Sequence, residues 1–463
     1  MSSDVESVAT TQVGRVASLF RSYPKLRRVL ANSGWIIACG FGNSIVNLAA
    51  GVFVARYLGP TELGAINYSL AIVAILTAVA NLGLDGVGLR EMSRKPQSAH
   101  EFVVACSLLR VIAGSIVFLG VMLAMAFVPP AALENRELYL LVLAFGVFAP
   151  SMQSAAIFFN SQLRSFIPKL SLISAAVTYA VLVVVGIWFQ WSPFYFVIGL
   201  AMRQVLGAAV TFAIYLRTPR NEPSEDASEE ERVSVSDAAN LLVRDGWPQT
   251  LSGFALLIQA QCDQIMLGEM RDLDSVAQYG IALKVTMLMT SVPLALITSF
   301  SPSLAKRFRD DDTSFWVGFH QVNRLAAMIC FGMIAFALIF GTHLLVWAYS
   351  ESYALAGSLL AVMAFRCCLA SLGSIRTIFL VNANILRYSM LTVVIGSILN
   401  VILNVLMIPS MGTWGAIYAS FISFTVTTIV LDLFYSRTRR AICIALAGWF
   451  FPMVNYDGKL FRV

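Results

Sequence analysis

The sequence predicts an all-α polytopic membrane protein of about twelve transmembrane helices, and three observations carry that prediction. Hydrophobic residues make up 58% of the 463-residue chain and charged residues only 13%, with a mean hydropathy of +0.76. The length alone would fit about three soluble domains. Separate soluble cores could not hide so much apolar surface, however, whereas a bilayer solvates it. The apolar residues also fall in continuous runs of about twenty, enough to cross the hydrocarbon core as helices. They do not show the alternation of a membrane β-barrel. Finally, Lys and Arg collect in every second connection between runs.

In order, the runs cover approximately 34–57, 65–88, 102–127, 138–159, 170–190, 193–216, 247–268, 278–301, 321–342, 355–380, 388–408 and 413–435. Those at 247–268 and 355–380 carry polar or charged residues. With the N-terminus inside, the cytoplasmic connections hold twenty-three Lys and Arg, among them Arg27, Arg94, Lys169, Arg217, Lys306 and Arg440. The opposite side holds only Arg56, Arg136 and Arg271. This positive-inside bias would scramble if one span were missed, and it puts both termini in the cytoplasm.

The segments at either end are expected to stay out of the span count. Residues 1–33 form a polar, basic segment without the profile of a cleavable signal peptide. Ile442–Val454 is apolar but short, so the tail over 436–463 is expected to lie in the cytoplasm or the interface. The one long connection, 217–246, is cytoplasmic and contains the acidic run Asn221–Glu231. It reads as a linker between a six-helix bundle over 34–216 and another over 247–435. Leu58-Gly59-Pro60 through Gly64-Ala65-Ile66-Asn67-Tyr68 is echoed by Leu267-Gly268 and Val276-Ala277-Gln278-Tyr279-Gly280 at the matching place in the second half. Both halves enter from the cytoplasm, so the repeat is parallel.

Six basic residues fall inside the runs: Arg110, Arg203, Lys284, Arg324, Arg366 and Arg376. A charge at a span centre costs roughly 2.5–3.5 kcal/mol or more, so each needs a reason to be there. Arg203 and Arg366 lie nearest mid-span and predict a water-filled cavity. Arg324, Arg376 and Lys284 lie nearer the ends, where a long side chain can snorkel. Few acids are available to neutralise the set: Asp85 and Asp432 near cytoplasmic ends, and Asp263 in the seventh span. An excess of buried cations implies an anionic ligand, most simply a phosphate or diphosphate.

A second group is acidic and polar. Gln259 and Asp263 share a helix face, as do Asn400 and Asn404 in the eleventh span, with Ser420 in the twelfth. Such oxygens suit Na+, and Asp263 alone could carry a proton instead. The plainer reading is interhelical hydrogen bonding, common in bundles. Asn43 and Asn47, on one face of the first span, line a cavity or serve the same bonding role. The seven cysteines show no metal spacing and the three histidines are scattered. With no catalytic or metal motif, no enzyme activity, no cofactor beyond Na+ or H+ as coupling ion, and no nucleic-acid partner is expected.

The stretch Val54-Ala55-Arg56-Tyr57-Leu58-Gly59-Pro60-Thr61-Glu62-Leu63-Gly64, followed by Asn81-Leu82-Gly83-Leu84-Asp85 and Arg90-Glu91, resembles the N-terminal signature of Wzx-type polysaccharide flippases. Asp263-Gln264-Ile265-Met266-Leu267-Gly268 is similar to their second-half signature. They belong to the multidrug/oligosaccharidyl-lipid/polysaccharide exporter superfamily. The resemblance implies two six-helix bundles around a central cavity that opens alternately to either side. It implies that undecaprenyl-diphosphate-linked oligosaccharide is moved from the cytoplasmic to the periplasmic leaflet of a bacterial inner membrane, the buried cations meeting the diphosphate. A monomer, working beside other polysaccharide-assembly proteins, is the expected form. The related lipid II flippases hold Na+ with an acid on span seven and polar residues on spans eleven and twelve. Asp263, Asn400, Asn404 and Ser420 match those positions, with Asn404 where an acid is expected. Their Arg-Asp pair in span one corresponds to Ala50-Gly51 here, which argues against lipid II as cargo.

Two other readings stay open at this point. A multidrug or metabolite antiporter of the same superfamily would need a carboxylate in the first bundle for cationic drugs, and only Asp85 is present. A polysaccharide polymerase or membrane glycosyltransferase would need larger outer loops than these.

Overall fold

A computed structural model describes residues 24–127, 135–219 and 233–450. The basic start (1–23), the acidic run of the linker and the last residues of the tail, expected to be cytoplasmic or interfacial, lie outside these. Helix accounts for nearly all of the described residues, and no strand occurs among them. The first half comprises α1 (Pro24–Leu58), α2 (Pro60–Asn81), α3 (Leu84–Arg94), α4 (Ala99–Ala126), α5 (Asn135–Ala144), α6 (Ala149–Ser161), α7 (Phe166–Trp188) and α8 (Pro193–Arg217). The second comprises α9 (Val235–Met270), α10 (Leu273–Asp310), α11 (Asp312–Tyr349), α12 (Ala354–Met363), α13 (Arg366–Asn382), α14 (Leu386–Met411), α15 (Thr413–Thr425), α16 (Leu431–Phe434) and α17 (Ser436–Phe450).

Among the described residues, ten spans are long and apolar enough to cross a membrane, with α2–α3 and α5–α6 each counting as one. A pair bent by 42°, Glu351–Met363 with Arg366–Asn382, makes an eleventh. The helix α9, thirty-six residues or about 54 Å long, is long enough to be a twelfth, but Gln259, Gln261, Asp263 and Gln264 interrupt its apolar stretch. Where the sequence suggests an unbroken second span over 65–88, the helix stops at Asn81. Leu82 and Gly83 both take positive φ, 53° and 58°, and the chain restarts as the short α3. The seventh span likewise begins earlier than expected. Ser234 accepts from the Asp237 N–H at 3.1 Å, so 235–246 is helix rather than linker. In the tail, α17 packs along α11, with Trp449 Nε1 donating to Asn323 at 3.2 Å and Arg440 to Asp312 at 3.2 Å.

The two faces of the molecule are packed differently. At the face away from the basic connections, one core is shared by both halves, running from Val54, Ile66 and Tyr139 to Leu267, Tyr279 and Tyr353. The echoed segments meet there. A Cβ on Gly64 would strike the Leu273 carbonyl, and one on Gly268 the Tyr68 ring, so small residues let the repeats cross closely. Hydrogen bonds reinforce the seam: Tyr353 to the Ala55 carbonyl at 2.9 Å, Thr61 to Asp274 at 2.7 Å, Arg56 to the Trp347 carbonyl, and Tyr68 to Glu269.

At the basic face there are two separate cores. One, around Phe315, Ile375 and Trp449, belongs to the second half. The other, around Phe102, Met92 and Phe159, belongs to the first half but takes Ala238 and Leu242 from α9. The polar contacts that cross between halves at this face run to α9 or its lead-in: Arg90–Asp245, Thr250 to the Leu82 carbonyl, and Val233 N–H to Ser98. Among the described residues, the halves are therefore fused through a shared core at one face and joined at the other through α9 and its lead-in.

Candidate functional site

The basic residues set within the spans divide into two kinds. Arg110 on α4 is completely enclosed. Its guanidinium donates to Asp85 Oδ1 at 2.8 Å, the Pro150 carbonyl and Ser154 hydroxyl at 3.1 Å, and the Asn81 carbonyl at 3.3 Å. The Asn81 carbonyl is freed where α2 ends, and backbone freed at membrane depth is stable only when the protein satisfies it. Arg110 thus staples the break in the second span. Arg376 on α13 is held in the same manner. Its two nitrogens grip both oxygens of Asp432 at 2.6 and 3.0 Å, one also reaches Thr392 at 3.0 Å, and the plane lies over Tyr388. Neither guanidinium has room for a cargo.

Arg203, Lys284 and Arg366 have no carboxylate within ion-pair distance among the described residues. Arg203 on α8 donates to the Asn47 side-chain oxygen and lies over the Tyr179 ring. Asn47 in turn donates to the Asn43 backbone carbonyl at 2.8 Å, so of the two α1 amides it is Asn47 that meets this cation. Lys284 on α10 donates to Asn67 of α2 at 2.8 Å and remains exposed, although it lies within a span. Arg203 and Lys284 are close enough for their charges to repel. Arg366 opens α13 just past the bend in the tenth span. It lies 5.0 Å from the centre of the Phe424 ring, and its buried Nη1 has no hydrogen-bond partner. Arg324 stands apart, beside His320 where α17 packs on α11.

The acidic group converges. Asp263 is fully buried on α9. Its Oδ1 accepts from Asn404 Nδ2 at 2.7 Å, and its Oδ2 from the hydroxyls of Tyr279 at 2.5 Å and Ser420 at 2.6 Å. Asn400 closes the ring, donating to Ser420 at 3.4 Å and accepting from Cys262 Sγ at 2.8 Å. The carboxylate is therefore solvated by dipoles rather than by a cation. Asn404 Oδ1 is buried without a partner. An orphaned acceptor beside a carboxylate and two hydroxyls fits a small hard cation. Turning the Asn404 amide over would aim that oxygen at it. Groups of three or more His, Cys, Asp or Glu, as a transition metal prefers, are absent among the described residues.

Arg366, Tyr279 and Ser420 line one small cavity of about 10 Å³, space for about one water. Tyr279 and Ser420 thus stand between the free cation and the buried acid. Sequence reasoning did not single out Tyr279, Cys262, Asn67 or Tyr179 for the site. The signal available for Tyr279 was a hydroxyl-bearing ring beside Gln278 at the start of the helix after Asp263.

Residues 29–308 match the family described as polysaccharide biosynthesis protein. No curated protein matches the chain. Among solved structures, the chain is similar to the inward-facing conformation of a multidrug resistance MATE family transporter of the MOP superfamily. The TM-score is 0.69 at 17% identity, covering 89% of this chain and 99% of that one. It is also similar to the lipid II flippase MurJ in an inward closed conformation, with TM-score 0.67, 14% identity, and coverage of 90% and 91%. A MOP superfamily transporter from Pyrococcus furiosus matches with TM-score 0.56 at 16% identity, covering 92% and 94%. At these identities the likeness is one of fold.

Proposed function

The chain belongs to the polysaccharide biosynthesis protein family, and from that premise we propose that it flips undecaprenyl-diphosphate-linked oligosaccharide units across the bacterial inner membrane. In this reading the basic face is cytoplasmic, both termini lie there, and the two bundles rock to alternate access. The observation that carries the proposal is the set of three cations, Arg203, Lys284 and Arg366, set within spans without an acidic partner. Uncompensated charge is costly in a membrane unless it faces a cavity or a ligand. A diphosphate supplies the missing charge, while the lipid tail remains in the bilayer. A cationic drug would meet repulsion at the same residues.

Coupling falls to Asp263. With the Asn404 oxygen, Asn400 and the Tyr279 and Ser420 hydroxyls, it would hold Na+ or a proton. Because Tyr279 and Ser420 also border the Arg366 cavity, occupancy of the acid site would be felt by the cation that meets the cargo.

The decisive variant is Arg203→Gln with Arg366→Gln in a strain lacking the native gene. Polysaccharide export should be abolished and lipid-linked repeat units should accumulate on the inner leaflet, with normal membrane levels of the protein. Full export by this double variant would overturn the reading.

A further inference from the structure

The first half contains a larger cavity, of about 360 Å³, at the basic-face end of α3, α6, α7 and α8, its wall mostly apolar with polar groups set into it. That volume falls within the range of roughly 300–1,000 Å³ typical of small-molecule sites. Five polar side chains border it, Asp85, Gln153, Asn160, Lys169 and Thr211, and of these the Thr211 hydroxyl is already spent on the Gly207 carbonyl at 3.0 Å. Asp85 is the unusual one. Its Oδ1 is held by the enclosed Arg110 at 2.8 Å and its Oδ2 by Asn81 at 2.8 Å, yet its side chain is 60% exposed. The carboxylate is locked from behind, its charge offset by a guanidinium that no ligand can reach. What it presents is a rigid pair of acceptors with free lone pairs. Gln153, Asn160 and Lys169 make no side-chain hydrogen bond with other described residues.

Such a set discriminates among ligands. A compensated carboxylate gives a cation little advantage, and Lys169 repels one. A ligand rich in hydroxyls satisfies everything at once, donating to the carboxylate and exchanging bonds with the two amides. The position agrees with this chemistry. Gly207 of the cavity lies four residues beyond Arg203 on α8, hence on the same helix face and about 6 Å nearer the basic face. A diphosphate at Arg203 would direct its attached sugar into this cavity.

We propose that the cavity bordered by Asp85, Gln153, Asn160 and Lys169 is a saccharide subsite that reads the first sugars of the cargo. The inference rests on the flippase reading and assigns it a specificity element distinct from the cations. The test uses the full chain in detergent, with native mass spectrometry to measure bound lipid. One probe is the lipid-linked oligosaccharide extracted from host membranes lacking this chain, and the other is undecaprenyl diphosphate alone. The wild type should prefer the glycosylated lipid by about tenfold, the worth of one or two hydrogen bonds. Gln153→Ala with Asn160→Ala should bring the two probes within about twofold, leaving affinity for undecaprenyl diphosphate unchanged. A wild type without preference, or a variant that keeps it, overturns the subsite while leaving the flippase reading intact. A wild type that binds neither probe overturns both. If the double variant fails to fold, Gln153→Ala alone, at an exposed position, reads the same preference.

Discussion

Arg366 and Arg376 stand on one helix, ten residues apart, and meet opposite environments. Arg376 is gripped by both oxygens of Asp432 and by Thr392, beneath the Tyr388 ring. Arg366 lies over Phe424 with one buried nitrogen unmatched. The first half repeats the contrast, with Arg110 clasped by four acceptors and Arg203 facing one amide and a tyrosine. A charged residue in a span is thus no indicator of function by itself. The presence or absence of a carboxylate separates fasteners from ligand-facing groups.

Three experiments press on that contrast. Removing the partner of a fastener should do the most damage. Asp432→Ala would strand the Arg376 charge, a loss of about 3–5 kcal/mol for a broken buried pair, seen as a collapse of the melting temperature in detergent. Replacing both members, Arg376→Met with Asp432→Leu, should recover most of it, because apolar residues of similar volume substitute well for a buried pair. If the double variant melts as low as the single one, the pair is more than a fastener.

A ligand-facing cation should behave in the opposite sense. Arg366→Gln should shift stability by less than about 1 kcal/mol in either direction, while transport in reconstituted vesicles falls at least about tenfold. A large loss of stability with intact transport would place Arg366 among the fasteners. The smallest effect belongs to Asp263. If its cluster binds sodium, NaCl should raise the melting temperature relative to choline chloride, reflecting about 1 kcal/mol of added stability at concentrations several times the Kd. Asp263→Asn should abolish that difference. A sodium effect that survives the substitution would move the ion elsewhere.

Much of the architecture was legible because membrane constraints are simple: apolar run length sets a span and loop charge sets its direction. Breaks inside spans were not. The stop at Leu82-Gly83 and the bend before Arg366 occur within apolar stretches, where hydropathy barely changes. The acidic cluster was largely readable, since Asp263, Asn400, Asn404 and Ser420 are conspicuous in such surroundings. Its tyrosine was not, because Tyr279 acts through rotational register between α9 and α10, which composition does not encode. The pairing of Arg110 with Asp85 was hidden for another reason: the residues lie twenty-five positions apart and meet only because a break in α2 turns one toward the other.

The dual membership of α9 has a consequence for biogenesis. Ala238 and Leu242 complete the basic-face core of the first half, yet they are encoded beyond the connection that divides the gene product into bundles. A nascent chain that has delivered only eight helices holds an unfinished core, with Phe102 and Phe159 awaiting their lid. The first bundle matures only when the ribosome has moved on into the second. Two fragments co-expressed from a split gene would therefore assemble better when the cut follows α9 than when it falls in the acidic connection before it.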